Sequence, residues 1–165
     1  MSRRLLIADS GPLIALTRLD LLALPKRYFH EIVVSSTVWR EVSRRPRPRE
    51  SERLQAALEQ SNFVVSDAAG SITQQLADAR LDAGERHTLA LGLALESTVL
   101  IDERRGRHIA RELALPVLGT LGLLVLGRQT GVIPAVKPLI DELQGSGYYL
   151  SDALVESVLS HLEER

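Results

Sequence analysis

The sequence has no cysteine and few aromatic side chains. Without cysteine, a chain of 165 residues has no disulfides, no thiolate nucleophile and no cysteine-based zinc site, and it suits a reducing compartment. Aromatic residues are only 4% of the chain. We therefore expect Trp39, Tyr148 and Tyr149 to pack in the core or at an interface rather than to stack on nucleic-acid bases.

Long hydrophobic runs and a strong net charge are also missing. The first apolar run, Leu5 to Ala8, is stopped by Asp9 and is far shorter than the ~20 residues of a membrane span. A soluble, cytoplasmic protein is expected. The formal net charge is −1, so the surface as a whole does not attract a polyanion. Binding to a nucleic acid would need local basic patches.

The apolar residues that are present recur as short runs between longer segments of helical periodicity. Several runs are continuous rather than alternating, which is typical of buried parallel strands, and the gaps between them suit crossover helices. The sequence therefore predicts one domain over residues 1–165, a three-layer α/β/α sandwich with a mostly parallel central sheet. The predicted strands are Leu5–Ala8, Ile32–Val34, Phe63–Val65, Val99–Ile101 and Pro116–Leu118.

Helix signals fill the intervals between these strands. Gly11 and Pro12 open the first helix, and Pro46 and Pro48 end or interrupt the second, which follows Ser35. Asp102 is predicted to start the helix that follows the fourth strand. The other predicted helices span about 50–60, 72–79, 83–96, 121–126, 136–143 and 154–162.

Four acidic residues stand where a ligand site of such a fold would form. Asp9 and Asp102 directly follow predicted strands, and ligands of open parallel sheets bind beyond the carboxyl ends of the strands. Glu41 lies at the margin of a buried helix face, and Glu85 lies in the first turn of a very apolar helix. Carboxylates gathered there would repel one another unless a cation neutralised them, and oxygen ligands suit Mg²⁺ or Mn²⁺.

Taken singly, each acid is better explained by a structural role. Glu85 forms a capping-box variant with Asp82, and Asp102 fits a helix N-cap. Asp9 fits a turn before Ser-Gly-Pro, and Glu41 fits a solvated face with surface ion pairs. Spacing alone does not bring the four together.

Family motifs supply what spacing does not. The segments L-I-A-D-S-G-P-L-I-A-L, V-W-R-E-V, A-G-E-R-H-T-L-A-L-G and L-I-D-E-R-R-G-R-H-I resemble, in order, the four acid-bearing segments of PIN-domain proteins. The chain is closest to a branch described only as nucleic-acid-binding proteins of unknown function. The resemblance implies a Mg²⁺ or Mn²⁺ site in a ribonuclease and includes toxins of VapC-type toxin–antitoxin pairs. It places the four acids on Asp9, Glu41, Glu85 and Asp102.

The chain departs from many toxin relatives at two points. They carry aspartate at the third acid where this chain has Glu85, and a second Asp or Asn shortly after the fourth acid where this chain has Glu103. Glu103 is therefore a further candidate ligand, and the number of metals stays open. The resemblance also implies an RNA substrate, an antitoxin partner and a homodimer.

The candidate roles are distributed as follows. Asp9 and Asp102 ligate the metal directly, Glu41 and Glu85 directly or through water, and Ser10 or Thr120 orients a water molecule. Phosphate contacts position a nucleic acid without reading its sequence. The candidates for such contacts are Arg44, Arg45, Arg104, Arg105 and Arg107.

Two other functions compete with the nuclease. A catalytically silent PIN-like module that binds nucleic acid or protein differs from the enzyme in whether its acids bind metal. An aspartyl-phosphate phosphatase would need a second aspartate two residues after Asp9, and Gly11 occupies that position. The phosphatase is therefore excluded.

Overall fold

The computed structural model of the protein describes residues 4–44, 47–66 and 72–165. Within them lies a five-stranded sheet in the order β3-β2-β1-β4-β5, and every strand pairing is parallel. The predicted sheet is confirmed, with strand bounds that shift by one residue at some ends. The strands are β1 (Leu5–Ala8), β2 (Glu31–Ser35), β3 (Val64–Ser66), β4 (Thr98–Leu100) and β5 (Val117–Leu118).

Helices connect the strands and cover both faces of the sheet, as predicted for a three-layer fold. A 3-10 helix, Leu24–Arg27, precedes β2. The α-helices of the described residues are α1 (Ser10–Arg18), α2 (Ser36–Ser43), α3 (Pro48–Glu59), α4 (Gln74–Asp78), α5 (Ala83–Leu95), α6 (Arg104–Glu112), α7 (Thr120–Gln129), α8 (Lys137–Gly145) and α9 (Asp152–His161).

Adjacent residues of β1 serve different cores because successive strand side chains point to opposite faces. Leu6 and Ala8 join a cluster that includes residues of α1, α7 and α8. Ile7 joins a second cluster that includes residues of α5 and α6. All three are fully buried. The apolar run of β1 is therefore continuous because both of its faces are covered.

Local capping explains several helix starts. The Ser35 hydroxyl accepts a hydrogen bond from the Val38 backbone N–H at 3.1 Å, which begins α2 at the end of β2. Pro48 does not end α2, which stops at Ser43; it is the first residue of α3, where its missing N–H costs nothing. Pro46 lies outside the described residues.

The residues that the structure describes contain no helix that is both long and apolar enough to cross a membrane. That residues 1–165 make up one domain stays a prediction.

Candidate active site

Asp9 and Asp102 follow the two strands at the centre of the sheet. β1 and β4 are parallel neighbours, and the Asp9 backbone N–H continues their pairing by donating to the Leu100 carbonyl at 3.0 Å. Both carboxylates therefore lie at the carboxyl edge of the sheet, where open α/β folds bind ligands.

The Asp9 side chain is buried with an acceptor that has no partner. The residue is only 5% exposed, and its Oδ1 atom accepts no hydrogen bond from the described residues. The pKa of Asp9 is raised to about 7, chiefly by burial and also by the charges of Asp82, Glu85 and Glu41, while a hydrogen bond from the Ser10 backbone N–H opposes the rise. A buried oxygen without a partner is costly, so this atom suits a cation or a proton.

Glu41 reaches the site from α2 by lying against a glycine. A Cβ atom at Gly84 would be 2.5 Å from Glu41 Oε2 and 2.9 Å from its Oε1. The absence of a side chain at Gly84 therefore makes room for this carboxylate. Burial and the charge of Asp82 raise the pKa of Glu41, whereas hydrogen bonds from the Ser10 side chain and the Gly84 backbone lower it.

Glu85 combines the predicted capping role with a place among the acids. Its backbone N–H donates to Asp82 Oδ1 at 2.8 Å, and its Oε2 accepts from the Asp82 backbone N–H at 3.0 Å. This confirms the capping box. Burial raises the pKa of Glu85 to about 7, helped by the charge of Asp82 and by both the charge and a hydrogen bond of Glu103.

The sequence predicted that Asp102 starts the helix after β4, and this prediction is wrong. The N-cap of α6 is Glu103, whose Oε2 accepts from the Gly106 backbone N–H at 2.9 Å. Asp102 instead accepts from the backbone N–H of Thr120 at 2.7 Å and from its hydroxyl at 2.6 Å. The Tyr148 hydroxyl also donates to Asp102.

Ser10 and Thr120 were predicted to orient water, and both hydroxyl groups have protein partners. Ser10 bonds to Glu41 and Thr120 to Asp102. A role in orienting water stays a prediction, but their observed contacts fix the position of two candidate acids.

The structure thus groups the acids by their mutual electrostatic effects. The charge of Asp82 raises the pKa of Asp9, Glu41 and Glu85. The charge of Glu103 raises the pKa of Glu85 and so connects Glu103 to the same group. Tyr148 links Asp102 to this group, since its hydroxyl donates to Asp102 and its pKa is raised by burial and by the charges of Asp102 and Asp9. The acids of this group lie together, and the charge of Arg44 opposes their mutual repulsion by lowering the pKa of Glu41.

A PIN-domain family model matches residues 5–164. The chain belongs to the PIN-domain family. No curated protein matches the chain, so the assignment rests on that match and on the fold. The match and the parallel sheet confirm the predicted family and fold class. PIN domains have a nuclease-type fold and are generally hydrolases that use divalent metals.

The acids of this PIN domain supply the oxygen ligands that a hard divalent cation prefers, but their side chains are not gathered around one point. No three acidic or histidine side chains of the described residues converge closely enough to hold an ion between them. Asp9 Oδ1 accepts no hydrogen bond within the described part of the chain, and Asp102 Oδ1 accepts one from the Thr120 backbone. Mg²⁺ usually keeps several waters and takes only one or two carboxylates, so this pair meets its minimum requirement.

Basic residues of the PIN domain lie near two of the acids, Asp102 and Glu41. Arg107 is half-buried, lies near Asp102 and donates to the Ile101 carbonyl at 3.3 Å. Burial and the charge of Arg111 lower the pKa of Arg107. Arg104 and Arg105 are exposed and have no ion pair with the described residues. Arg44 is exposed and its charge lowers the pKa of Glu41, and Arg45 lies outside the described residues.

Sequence reasoning placed the aromatic residues incompletely. Trp39 packs as expected, with its ring 5.4 Å from that of Phe63. Tyr148 packs against the core as expected, and it is a site residue as well. Tyr149 is 85% exposed and is therefore not a core residue, and its packing at an interface stays a prediction. Neither tyrosine stands in a catalytic motif, so no sequence signal identified Tyr148. From the sequence, Asp82 was predicted only to cap a helix.

Proposed function

We propose that this PIN domain is a divalent-metal-dependent endoribonuclease that hydrolyses phosphodiester bonds of RNA. The observation that supports this most is the unpartnered Oδ1 of buried Asp9 among three like-charged carboxylates. Acids in this arrangement resist ionising together without a cation. The family assignment adds that the fold is generally used for hydrolysis.

Asp9 and Asp102 would hold Mg²⁺ or Mn²⁺, with Glu41, Glu85 and Glu103 contributing directly or through water. A bound ion of this kind supplies an activated water and neutralises charge that develops on a phosphodiester. Ser10 and Thr120 keep Glu41 and Asp102 in place through the hydrogen bonds described above.

RNA would bind along the basic residues that lie near Asp102. Arg107 stands beside Asp102, and the exposed side chains of Arg104 and Arg105 precede it on α6. Guanidinium groups suit phosphate because their donors match its oxygens in pairs. Arg44, next to the helix that carries Glu41, and Arg45 would extend this contact.

The cellular setting is part of the same proposal. The resemblance to VapC-type toxins suggests an antitoxin protein that covers the acids, a homodimer and a cytoplasmic location. A silent binding module is the second candidate, and it is favoured by the hydrogen bonds that already occupy Asp102 and by the lack of a converged acidic triad among the described residues.

Manganese calorimetry separates the two candidates without a guess at the substrate. We expect the wild type to bind Mn²⁺ and both Asp9→Asn and Asp102→Asn to lose binding. Asp141→Asn is the matched control, because Asp141 is an exposed acid that pairs with Lys137 on the surface of α8. RNA cleavage should disappear in the same two variants. Equal binding in all four proteins, or none in the wild type, would support the silent module.

Gly84→Ala gives a finer test of the site. Because only the mobile end of Glu41 must move, we expect the free energy of unfolding to change by less than about 1 kcal/mol, while Mn²⁺ affinity falls about tenfold as an acid is displaced. Thermal unfolding and calorimetry measure the two effects. Gly145→Ala is the control, since a Cβ there meets nothing within 4 Å. An unchanged affinity would show that the position of Glu41 does not matter to the metal.

A further inference from the structure

Tyr148 comes from a part of the chain far from the acids in sequence, yet its hydroxyl group contacts the fourth of them, Asp102. It donates to Asp102 Oδ2. The hydroxyl oxygen of Tyr148 is 3.3 Å from the place that a Cβ at Gly11 would occupy. Gly11 lies at the start of α1, two residues after Asp9. A glycine at that position lets the phenol approach the first turn of α1.

The turn that carries Tyr148 is held at several points. The Tyr148 backbone N–H donates to the Leu143 carbonyl at 3.0 Å, so the segment folds back on the end of α8. The Ser146 carbonyl accepts from Arg18 at 3.3 Å and from Arg47 at 3.4 Å. Gly147 has φ +86°, a left-handed conformation that favours glycine. These contacts fix the backbone from which the phenol reaches the site.

The hydrogen bonds to Asp102 determine which of its atoms can still accept another partner. A carboxylate oxygen has two lone-pair positions. Oδ2 uses both, one for the Thr120 hydroxyl and one for Tyr148. Oδ1 uses one, for the Thr120 backbone N–H, and keeps the other.

We propose that Tyr148 is a positioning residue that occupies Asp102 Oδ2 and leaves Oδ1 as the one atom through which Asp102 holds a divalent cation. This inference rests on the proposed metal-dependent function and adds a residue and a coordination mode to it. Hydrogen bonds from outer groups orient metal-binding carboxylates, and their loss typically weakens metal affinity by about 10- to 100-fold.

Tyr148→Phe tests the proposal against a matched neighbour. It removes one hydroxyl group from Asp102, whereas Tyr149→Phe removes the same group from a side chain that is 85% exposed. We expect Mn²⁺ affinity, measured by calorimetry, to fall about 10- to 100-fold in Tyr148→Phe and to stay unchanged in Tyr149→Phe.

A near-ultraviolet difference spectrum gives a second measurement that does not depend on catalysis. Binding of Mn²⁺ to Asp102 changes the electrostatic surroundings of the phenol that donates to it. We expect a tyrosine difference signal on Mn²⁺ addition in the wild type and in Tyr149→Phe, and its loss in Tyr148→Phe. If Tyr148→Phe does not fold, the signal in Tyr149→Phe decides, because that variant keeps Tyr148, the tyrosine that donates to Asp102.

The outcomes separate this inference from the proposed function. A wild type that binds no Mn²⁺ overturns both. Binding in the wild type, with equal affinity in Tyr148→Phe or without a tyrosine signal, overturns the positioning role and leaves the metal site standing. Tighter binding in Tyr148→Phe also overturns it, since the hydroxyl would then compete with the cation.

Discussion

Asp9→Asn is expected to stabilise the metal-free protein at about pH 8, by up to about 4 kcal/mol in the free energy of unfolding. The wild-type carboxylate is ionised at this pH although it is 5% exposed and surrounded by like charges. Asparagine keeps the shape and one acceptor but carries no charge. The substitution that removes metal binding should therefore also relieve the destabilisation that the ionised acid causes.

The pH dependence follows from the raised pKa. Asp9 has a pKa of about 7 in the folded protein against 3.8 without the fold, so the folded protein retains a proton that the unfolded chain releases between these values. Stability from this group is complete below about pH 4, declines as the pH rises to about 7, and is lost above that. Glu85, whose pKa is also raised to about 7, contributes in the same direction.

Chemical denaturation in a chelator at about pH 5 and pH 8 measures this effect. The wild type should be less stable at the higher pH, and Asp9→Asn should lose part of that difference, because Glu85 still contributes to it. Asp141→Asn is the control, because it removes an exposed charge that is paired on the surface. Added Mn²⁺ should stabilise the wild type at pH 8 and leave Asp9→Asn unaffected. An Asp9→Asn protein that is less stable than the wild type at pH 8 contradicts the raised pKa.

Much of the fold was predictable because burial leaves a direct pattern in the sequence. Strands such as Leu5–Ala8 are covered on both faces, so they are continuously apolar, and Asp9 marks the end of the strand although it is buried as well. The capping box of Asp82 and Glu85 was predictable for a similar reason, since all its partners lie within one helical turn. The resemblance to PIN domains supplied the order of the acids.

The contacts of Asp102 were not predictable, because its partners are distant along the chain. Asp102 is separated from Thr120 by 18 residues and from Tyr148 by 46. Local spacing favoured Asp102 as the cap of α6, but Glu103, one residue later, also fits that role and takes it. Which of two adjacent acids caps a helix depends on what else is available to each, and that is decided by tertiary structure.

The arginines from Arg40 to Arg53 show the same limit, and they should divide into structural residues and residues that are available to phosphate. Arg53 Nη1 donates to the Thr17 carbonyl at 2.9 Å and to the Arg18 carbonyl at 3.0 Å, at the end of α1. Arg53 Nε is also 3.5 Å from Asp20. The Arg18 carbonyl belongs to the last turn of α1, where carbonyls have no partner within the helix, and the Thr17 carbonyl also accepts from the Asp20 backbone N–H at 3.2 Å. Arg53 is thus a structural residue rather than a phosphate contact.

Arg53→Ala should therefore lower the free energy of unfolding by about 2–3 kcal/mol, because hydrogen bonds to a charged donor are lost at partly buried carbonyls. RNA affinity should not change. Arg49→Ala, an exposed residue of the same helix without an ion pair among the described residues, is the stability control. Urea denaturation measures the first effect. Fluorescence anisotropy of a labelled single-stranded RNA, in chelator to prevent cleavage, measures the second.

The double variant Arg104→Ala, Arg105→Ala should behave in the opposite way. Both side chains are exposed, so stability should stay within about 0.5 kcal/mol of the wild type. If each contacts one phosphate of a single strand, the slope of log affinity against log salt should become shallower by about 1.4. An unchanged slope would remove α6 from the proposed RNA path. A loss of RNA affinity in folded Arg53→Ala would place the path along α3 instead, and Arg53 would then have to leave the α1 carbonyls to bind phosphate.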